Sequence, residues 1–347
     1  MTASTLGRLR RVAGRLGGRS DGEVLILLYH RVATLKSDPW GLAVTPGRFA
    51  EHLEVLRQHA RPMPLEELSR ALREGSLPDR SVVVTFDDGY ADNLHNAKPL
   101  LERHDVPATV FVASGFVGRK REFWWDELAR LLLRPGAVPD RLSLSVDGNT
   151  HKWELGEAAY YTVDEFRRHR GWRAWDRCPT PRHSLYISLC DLLRPVSERE
   201  RQRKLDELRD WVIDAPERPP KHRPLSSGEI GKLQQGGLVE VGAHTVTHPV
   251  LSALPPAVQR GEIANSRARL EKILGHPVTS FAYPYGKRHD YTAETVDMVR
   301  RAGFGCVCST FAGVVRRSSD RFQLPRVYVR NWDGDRLARR LGKWFDG

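Results

Sequence analysis

The chain has 347 residues, with 55 Lys plus Arg against 43 Asp plus Glu and hence a formal net charge of +12. With 40% hydrophobic and 28% charged residues it can bury a core without disulfide or metal staples, which excludes global disorder. Its longest uninterrupted apolar run, Val24 to Tyr29, falls far short of the ~20 residues of a membrane-spanning helix, and its four cysteines show neither zinc-site spacing nor the density of a disulfide scaffold.

From the N-terminus, residues 1–21 read as a basic leader. Met1 to Ser20 carry Arg8, Arg10, Arg11, Arg15 and Arg19 and no acid, but lack the apolar region of a secretory signal. The expectation is a cytoplasmic chain whose leader is a solvated tail, with membrane association at an anionic inner face as the alternative. The remaining basic residues are scattered, without zinc-finger spacing or an aromatic RNA-binding motif, which argues against a nucleic-acid partner.

Short apolar or β-branched runs then recur at Val24–Leu28, Val82–Phe86, Thr109–Val112, Val239–Val241, Ser280–Tyr283, Cys306–Cys308 and Val327–Val329, and predict buried strands. Helical spacing of Phe49, Leu53 and Leu56 predicts a helix over Pro46–His59, and that of Ile263, Leu270, Ile273 and Leu274 another over Ala257–Leu274. Strand and helix alternate, which predicts an α/β fold with a parallel sheet over residues 22–334. Residues 119–224 break the rhythm, being rich in Arg, Pro and Trp with helical patches at Phe123–Leu133 and Glu198–Ile213, and read as an insertion. Six tryptophans fall in it (Trp124, Trp125, Trp153, Trp172, Trp175 and Trp211). Most are expected to form the insertion's own core, with Trp124 and Trp125 the better candidates for a binding surface. Residues 335–347 close the chain with an amphipathic helix carrying Leu337, Leu341 and Trp344.

The chemistry gathers at strand ends. The first strand ends in Tyr29-His30, the second in Asp87-Asp88-Gly89-Tyr90, the fourth in a run from Gly242 containing His244 and His248, and the fifth in Tyr283-Pro284-Tyr285-Gly286. In a parallel barrel such ends share one face, where barrel enzymes build their sites. Two adjacent carboxylates after an apolar strand repel each other and resist desolvation, so a cation is expected beside Asp87 and Asp88. His244 and His248, four apart, are expected on one side of a helical turn; with one carboxylate they supply two nitrogens and an oxygen and leave positions open for water and substrate. The second carboxylate is then free to take a proton from water acidified by the metal, which is hydrolytic chemistry.

The motifs Thr85-Phe86-Asp87-Asp88-Gly89-Tyr90, His244-Thr245-Val246-Thr247-His248 and Tyr283-Pro284-Tyr285-Gly286 resemble those of the NodB-homology polysaccharide deacetylases, carbohydrate esterase family 4. The resemblance covers roughly residues 22–118 and 225–330. It implies a distorted (β/α) barrel of about seven parallel strands with an inserted subdomain. It further implies Asp87 as general base, Asp88, His244 and His248 as ligands of zinc or another divalent ion, and the backbone N–H of Tyr285 as an oxyanion donor. The reaction implied is hydrolysis of an acetamido group on a sugar. Two positions depart from the family pattern. The arginine expected before the third motif is replaced by Ala282, and Arg326, opening the last strand, is the substitute expected to approach Asp87. The late histidine that serves as general acid has no counterpart, since the last histidine is His289; His30 and His289 are the candidates, with His30 preferred for its place on the catalytic face.

The expected activity is therefore a metal-dependent carbohydrate N-deacetylase acting on a polysaccharide, a lipid-linked sugar or a smaller glycoside. Hydrolysis of an O-acetyl ester or another amide uses the same oxyanion chemistry and stays open. So does a catalytically weak, metal-containing glycan-binding protein, favoured by the missing arginine and histidine and opposed by the intact Asp87, Asp88, His244 and His248. The basic leader and C-terminal helix suit an anionic or membrane-proximal substrate.

Overall fold

A computed structural model describes residues 22–212 and 223–346; the basic leader, and the C-terminal end of the helix expected over Glu198–Ile213, lie outside the described residues. Seven strands form the central sheet: β1 (Val24–Tyr29), β2 (Ser81–Phe86), β3 (Ala108–Val112), β4 (Val239–Ala243), β5 (Ser280–Ala282), β6 (Cys306–Cys308) and β7 (Val327–Tyr328). They neighbour one another in the order β6-β5-β4-β3-β2-β1-β7, all parallel, with a two-residue strand at Arg61–Pro62 also pairing β2. The widest pairing, β1 on β2, runs from Val24 opposite Ser81 to Tyr29 opposite Phe86.

The sheet curls until its ends meet. Residues 321–326, which lead into β7, lie against β6: Val307 N–H donates to the Arg321 carbonyl, Leu324 N–H to Val307 and Ser309 N–H to Leu324, at 2.8–2.9 Å. These bonds close a distorted barrel of seven parallel strands and satisfy the backbone groups that an open edge would leave bare.

Strands buried on both faces need apolar residues at every position, and β1 and β2 are buried throughout. The two-residue period sorts them. Leu25, Leu27 and Tyr29 pack outward with Phe49, Leu53 and Leu56 of the helix Pro46–His59, while Val24, Ile26, Val83, Phe111 and Leu324 share a separate inner cluster. The same alternation puts His30 and Asp87 in the inward register, and sends Tyr29 into the core, where its hydroxyl lies 3.3 Å from His52 Nδ1. The helix Gly334–Asp346 packs by its apolar side, with Leu337 and Leu341 buried.

Residues 119–212 build around a second core that includes Phe123, Trp124, Trp125, Leu142, Leu144, Leu189 and Leu208. Its helices are Trp124–Leu132, Val163–His169, Pro181–Leu193 and Glu198–Trp211. It also holds an antiparallel hairpin, Arg141–Val146 against Asn149–Glu154, that the helical reading of this region missed. The signal was present: Leu142, Leu144 and Val146 alternate with exposed residues, and Asp147-Gly148, both at positive φ, supply the turn that such hairpins favour.

Candidate functional site

A cavity of about 390 Å³ opens at the C-terminal ends of the strands, lined by His30, Asp87, Asp88, His244, His248 and Tyr285 from the barrel. Asp87 follows β2 directly and meets Arg326 in a two-pronged ion pair: Nη1 donates to Oδ1 and Nη2 to Oδ2, each at 2.7 Å. Arg326 is fully buried and is itself held by Nε donating to the Ser309 carbonyl at 2.7 Å and Nη1 to the Thr85 hydroxyl at 3.2 Å. Burial alone would raise the Asp87 pKa, but the Arg326 charge and His244 outweigh it and hold the carboxyl below its ordinary value.

Asp88 turns the other way because its backbone is left-handed, with φ 74°, and Gly89 follows at φ 83°. A Cβ on Gly89 would sit 3.0 Å from Val112, so this turn needs glycine on two counts. Asp88 Oδ1 then lies 3.7 Å from His244 Nε2 and 3.3 Å from His248 Nε2. The two histidines do not ride a helical turn. The segment after β4 is a loop in which Thr245 (φ 63°) and His248 (φ 55°) are both left-handed, and this reversal, rather than helical spacing, turns the imidazoles toward one point. Glu262 fastens the loop by accepting from the N–H groups of Val246 and Thr247 and from the Thr247 hydroxyl, and His248 N–H donates to Thr245 Oγ1 at 3.0 Å.

These three side chains fit a divalent cation. His244 donates Nδ1–H to the Ala282 carbonyl at 2.7 Å, which leaves the Nε2 lone pair facing the Asp88 carboxylate. His248 Nδ1 is buried without a partner. One ligand atom from each residue lies within 4.8 Å of the others. Burial and the neighbouring Asp87 charge push the Asp88 pKa well up, and burial pushes both histidines down. A carboxyl that burial disfavours as an anion and two imidazoles kept neutral, converging on one point, could hold a cation, and two imidazoles and a carboxylate suit zinc or a similar transition ion.

Tyr285 is left-handed as well (φ 59°), with its carbonyl accepting from the Thr310 hydroxyl. Its N–H donates to no described residue, the condition required of an oxyanion donor. The ring packs 4.8 Å from His248 and beneath the Arg194 guanidinium, 4.1 Å away. His30 lines the cavity, stacked 5.8 Å from Tyr328, and burial lowers its pKa to about 4. His289 is 72% exposed and does not line the cavity, which removes it as a candidate acid.

Sequence reasoning missed the support behind the Asp87-Asp88 turn. Arg31, only 2% exposed, donates from Nε and Nη2 to Asp92 Oδ2 at 3.0 and 2.8 Å and lies 3.6 Å from Asp126. Asp126 accepts from the Tyr90 hydroxyl at 2.8 Å, which in turn accepts from Trp125 Nε1 at 2.8 Å. Burial raises the Asp126 pKa to about 7. The helix Trp124–Leu132 is thereby bonded to Tyr90, the residue that follows the Asp87-Asp88-Gly89 turn. Trp124 and Trp125 serve double duty, buried in the second core yet lining the cavity, whereas Trp175, expected in that core, is 57% exposed on the cavity wall.

Comparison with known proteins fits this geometry. The polysaccharide deacetylase family model matches residues 74–138 and 213–307, spanning Asp87, Asp88, His244, His248 and Tyr285. Over these residues the chain is similar to the polysaccharide deacetylase family. Among curated relatives, the poly-β-1,6-N-acetyl-D-glucosamine N-deacetylase of Staphylococcus aureus is 33% identical over 127 residues, covering 33% of this chain and 44% of the relative. The chain thus spans less than half the length of the curated relatives it matches. Two solved structures share the fold. IcaB from Ammonifex degensii has a TM-score of 0.58 at 22% identity, covering 94% of this chain and 98% of that one. A Streptococcus pyogenes deacetylase, PplD, in complex with acetate has a TM-score of 0.56 at 18% identity, covering 91% and 97%. The family model does not match residues 139–212, which include the hairpin and the helices Pro181–Leu193 and Glu198–Trp211.

Proposed function

We propose that this protein is a metal-dependent hydrolase that removes the acetyl group from an N-acetylated sugar. The observation that carries the proposal is the convergence of Asp88, His244 and His248 beside an ionised Asp87 clamped by Arg326. Asp88, His244 and His248 would hold the ion, which when bound supplies Lewis-acid polarisation and acidifies water. Asp87, kept charged by Arg326, is the base that takes the proton from the attacking water. The Tyr285 N–H, free of any acceptor among the described residues, donates to the oxygen that becomes negative as the acetamide carbon turns tetrahedral. His30 faces the same cavity and is assigned as the donor to the departing amine. Because its ring starts neutral, it can deliver a proton only after gaining one, and Asp87, whose charge acts on it, holds that proton after the attack.

The deciding experiment is acetate release by metal-reconstituted protein from N-acetylhexosamine oligomers, lipid-linked precursors and acetate esters, with Asp87→Asn and chelator as controls. Release from an amide, abolished by both controls, supports the proposal. Release only from esters makes the protein an O-acetyl esterase. Glycan binding without any release makes it a binding protein on the deacetylase fold.

A further inference from the structure

The cavity contains a cation that the deacetylation chemistry leaves without a task. Arg330, two residues beyond β7, is half-buried in the cavity wall. Its guanidinium lies 4.8 Å from the centre of the Trp175 ring and 5.0 Å from that of Tyr328. Nη1 donates to the carbonyls of Trp40 and Gly41 at 2.9 and 2.8 Å. Two rings and two carbonyls therefore fix the plane of the group, while Nε and Nη2 donate to no described residue.

No described carboxylate pairs with Arg330. The acid that acts on it from a distance, Asp38, has its oxygens occupied by the N–H groups of Leu42 and Ala43, and Arg173 adds a second positive charge nearby. By contrast, Arg194 on the same wall is matched by Asp290, and Arg326 behind it by Asp87. Lys287, just past the Tyr285-Gly286 turn, also lines the cavity, exposed and without an ion pair among the described residues. Partly desolvating a cation without a counter-charge is costly. A guanidinium locked in plane with two donors unused is a preorganised receptor for an oxyanion, which it binds in a two-pronged manner.

We infer that the cavity takes an acetamido sugar bearing an oxyanion, as a phosphate ester or a carboxylate, held by the free side of Arg330 with Lys287 adding positive charge. The sugar half of this assignment rests on the deacetylase reading, and the anion half rests on Arg330 and Lys287.

The test is calorimetric binding to the full chain of four probes: an N-acetylhexosamine 1-phosphate, the uronic acid of the same sugar, its neutral methyl glycoside, and inorganic phosphate. At least one anionic sugar is expected to bind tenfold or more tighter than both the neutral glycoside and inorganic phosphate, with the advantage shrinking as salt rises. Which anionic sugar gains tells phosphate from carboxylate. Arg330→Gln should cut the advantage below threefold, and Lys287→Gln, at an exposed position that does not threaten folding, should reduce it in part. Equal binding of neutral and anionic sugars, phosphate alone binding as tightly as the conjugates, or an advantage that survives both substitutions would overturn the inference. Acetate release measured in parallel separates the two claims. Anion preference without release removes the deacetylase reading and keeps the anion site, and release without preference does the reverse.

Discussion

Arg326 and Asp87 stand 239 residues apart in the chain and meet through two parallel 2.7 Å hydrogen bonds, guanidinium fork to carboxylate fork. Arg326→Lys keeps the charge but loses the fork, and is expected to lower kcat/KM by roughly 10- to 100-fold. Because Arg326 depresses the Asp87 pKa, weakening the pair raises that pKa. The acid limb of the pH–rate profile should then move to higher pH. Arg326→Ala leaves a buried carboxylate unpaired and should cost on the order of 3–5 kcal/mol in urea unfolding. An unaltered profile in Arg326→Lys would show that Asp87 does not depend on this partner.

Asp88→Asn and His244→Ala each remove one of three converging ligands, and metal analysis of the purified variants should find the bound ion reduced from about one per chain to a small fraction. Wild type, but neither variant, should gain thermal stability on adding zinc, by about 2.7 kcal/mol at a hundredfold excess over Kd. A wild-type melting temperature indifferent to metal and chelator alike would contradict the cation site.

His30→Gln should lower kcat by roughly 100- to 10,000-fold, the usual contribution of a positioned proton donor, while metal content stays at the wild-type level. Full activity in this variant would move the search for the acid to another group.

Glu240 offers a stability test remote from the chemistry. Burial, then the nearby Glu66, raise its pKa to about 7, against a single hydrogen bond from the Thr109 hydroxyl at 3.2 Å. A carboxyl whose pKa is higher folded than unfolded contributes most below the unfolded value, and its contribution is lost as pH rises from about 4.5 to 7. Glu240→Gln should therefore match wild type near pH 4 and exceed it at pH 8, by about 1–2 kcal/mol after allowance for partial exposure. Melting curves at the two pH values check this, and an equal gap at both would disprove it.

The strand runs of the barrel are legible in the sequence because parallel strands buried on both faces must be apolar throughout, and the polar residues at their ends then fall on one face. That pattern alone brings Asp87, Asp88, His244 and Tyr285 together. Arg326 is legible for a different reason: the resemblance implies an arginine where Ala282 stands, and Arg326, opening the last strand, is the substitute that this gap suggests. The spacing of His244 and His248 misleads, since four residues separate two side chains equally well on a helical turn or across a loop with left-handed corners. Arg31, Asp126, Glu262 and Arg330 are beyond the reach of sequence, because each acts through partners that only the folded chain sets beside it. Asp126 in particular reads locally as an ordinary first-turn helical acid.

Four residues around the cavity, Asp88, Thr245, His248 and Tyr285, hold a backbone conformation that side chains with a Cβ ordinarily avoid, at about 1–3 kcal/mol each. The rest of the fold must supply that energy, so the site is spring-loaded by its own scaffold. Stability and competence then pull in opposite directions at these positions. A library selected for melting temperature alone would drift toward glycine at Thr245 and Tyr285, relaxing the loops that aim His248 and the Tyr285 N–H, and would enrich for robust but inert proteins.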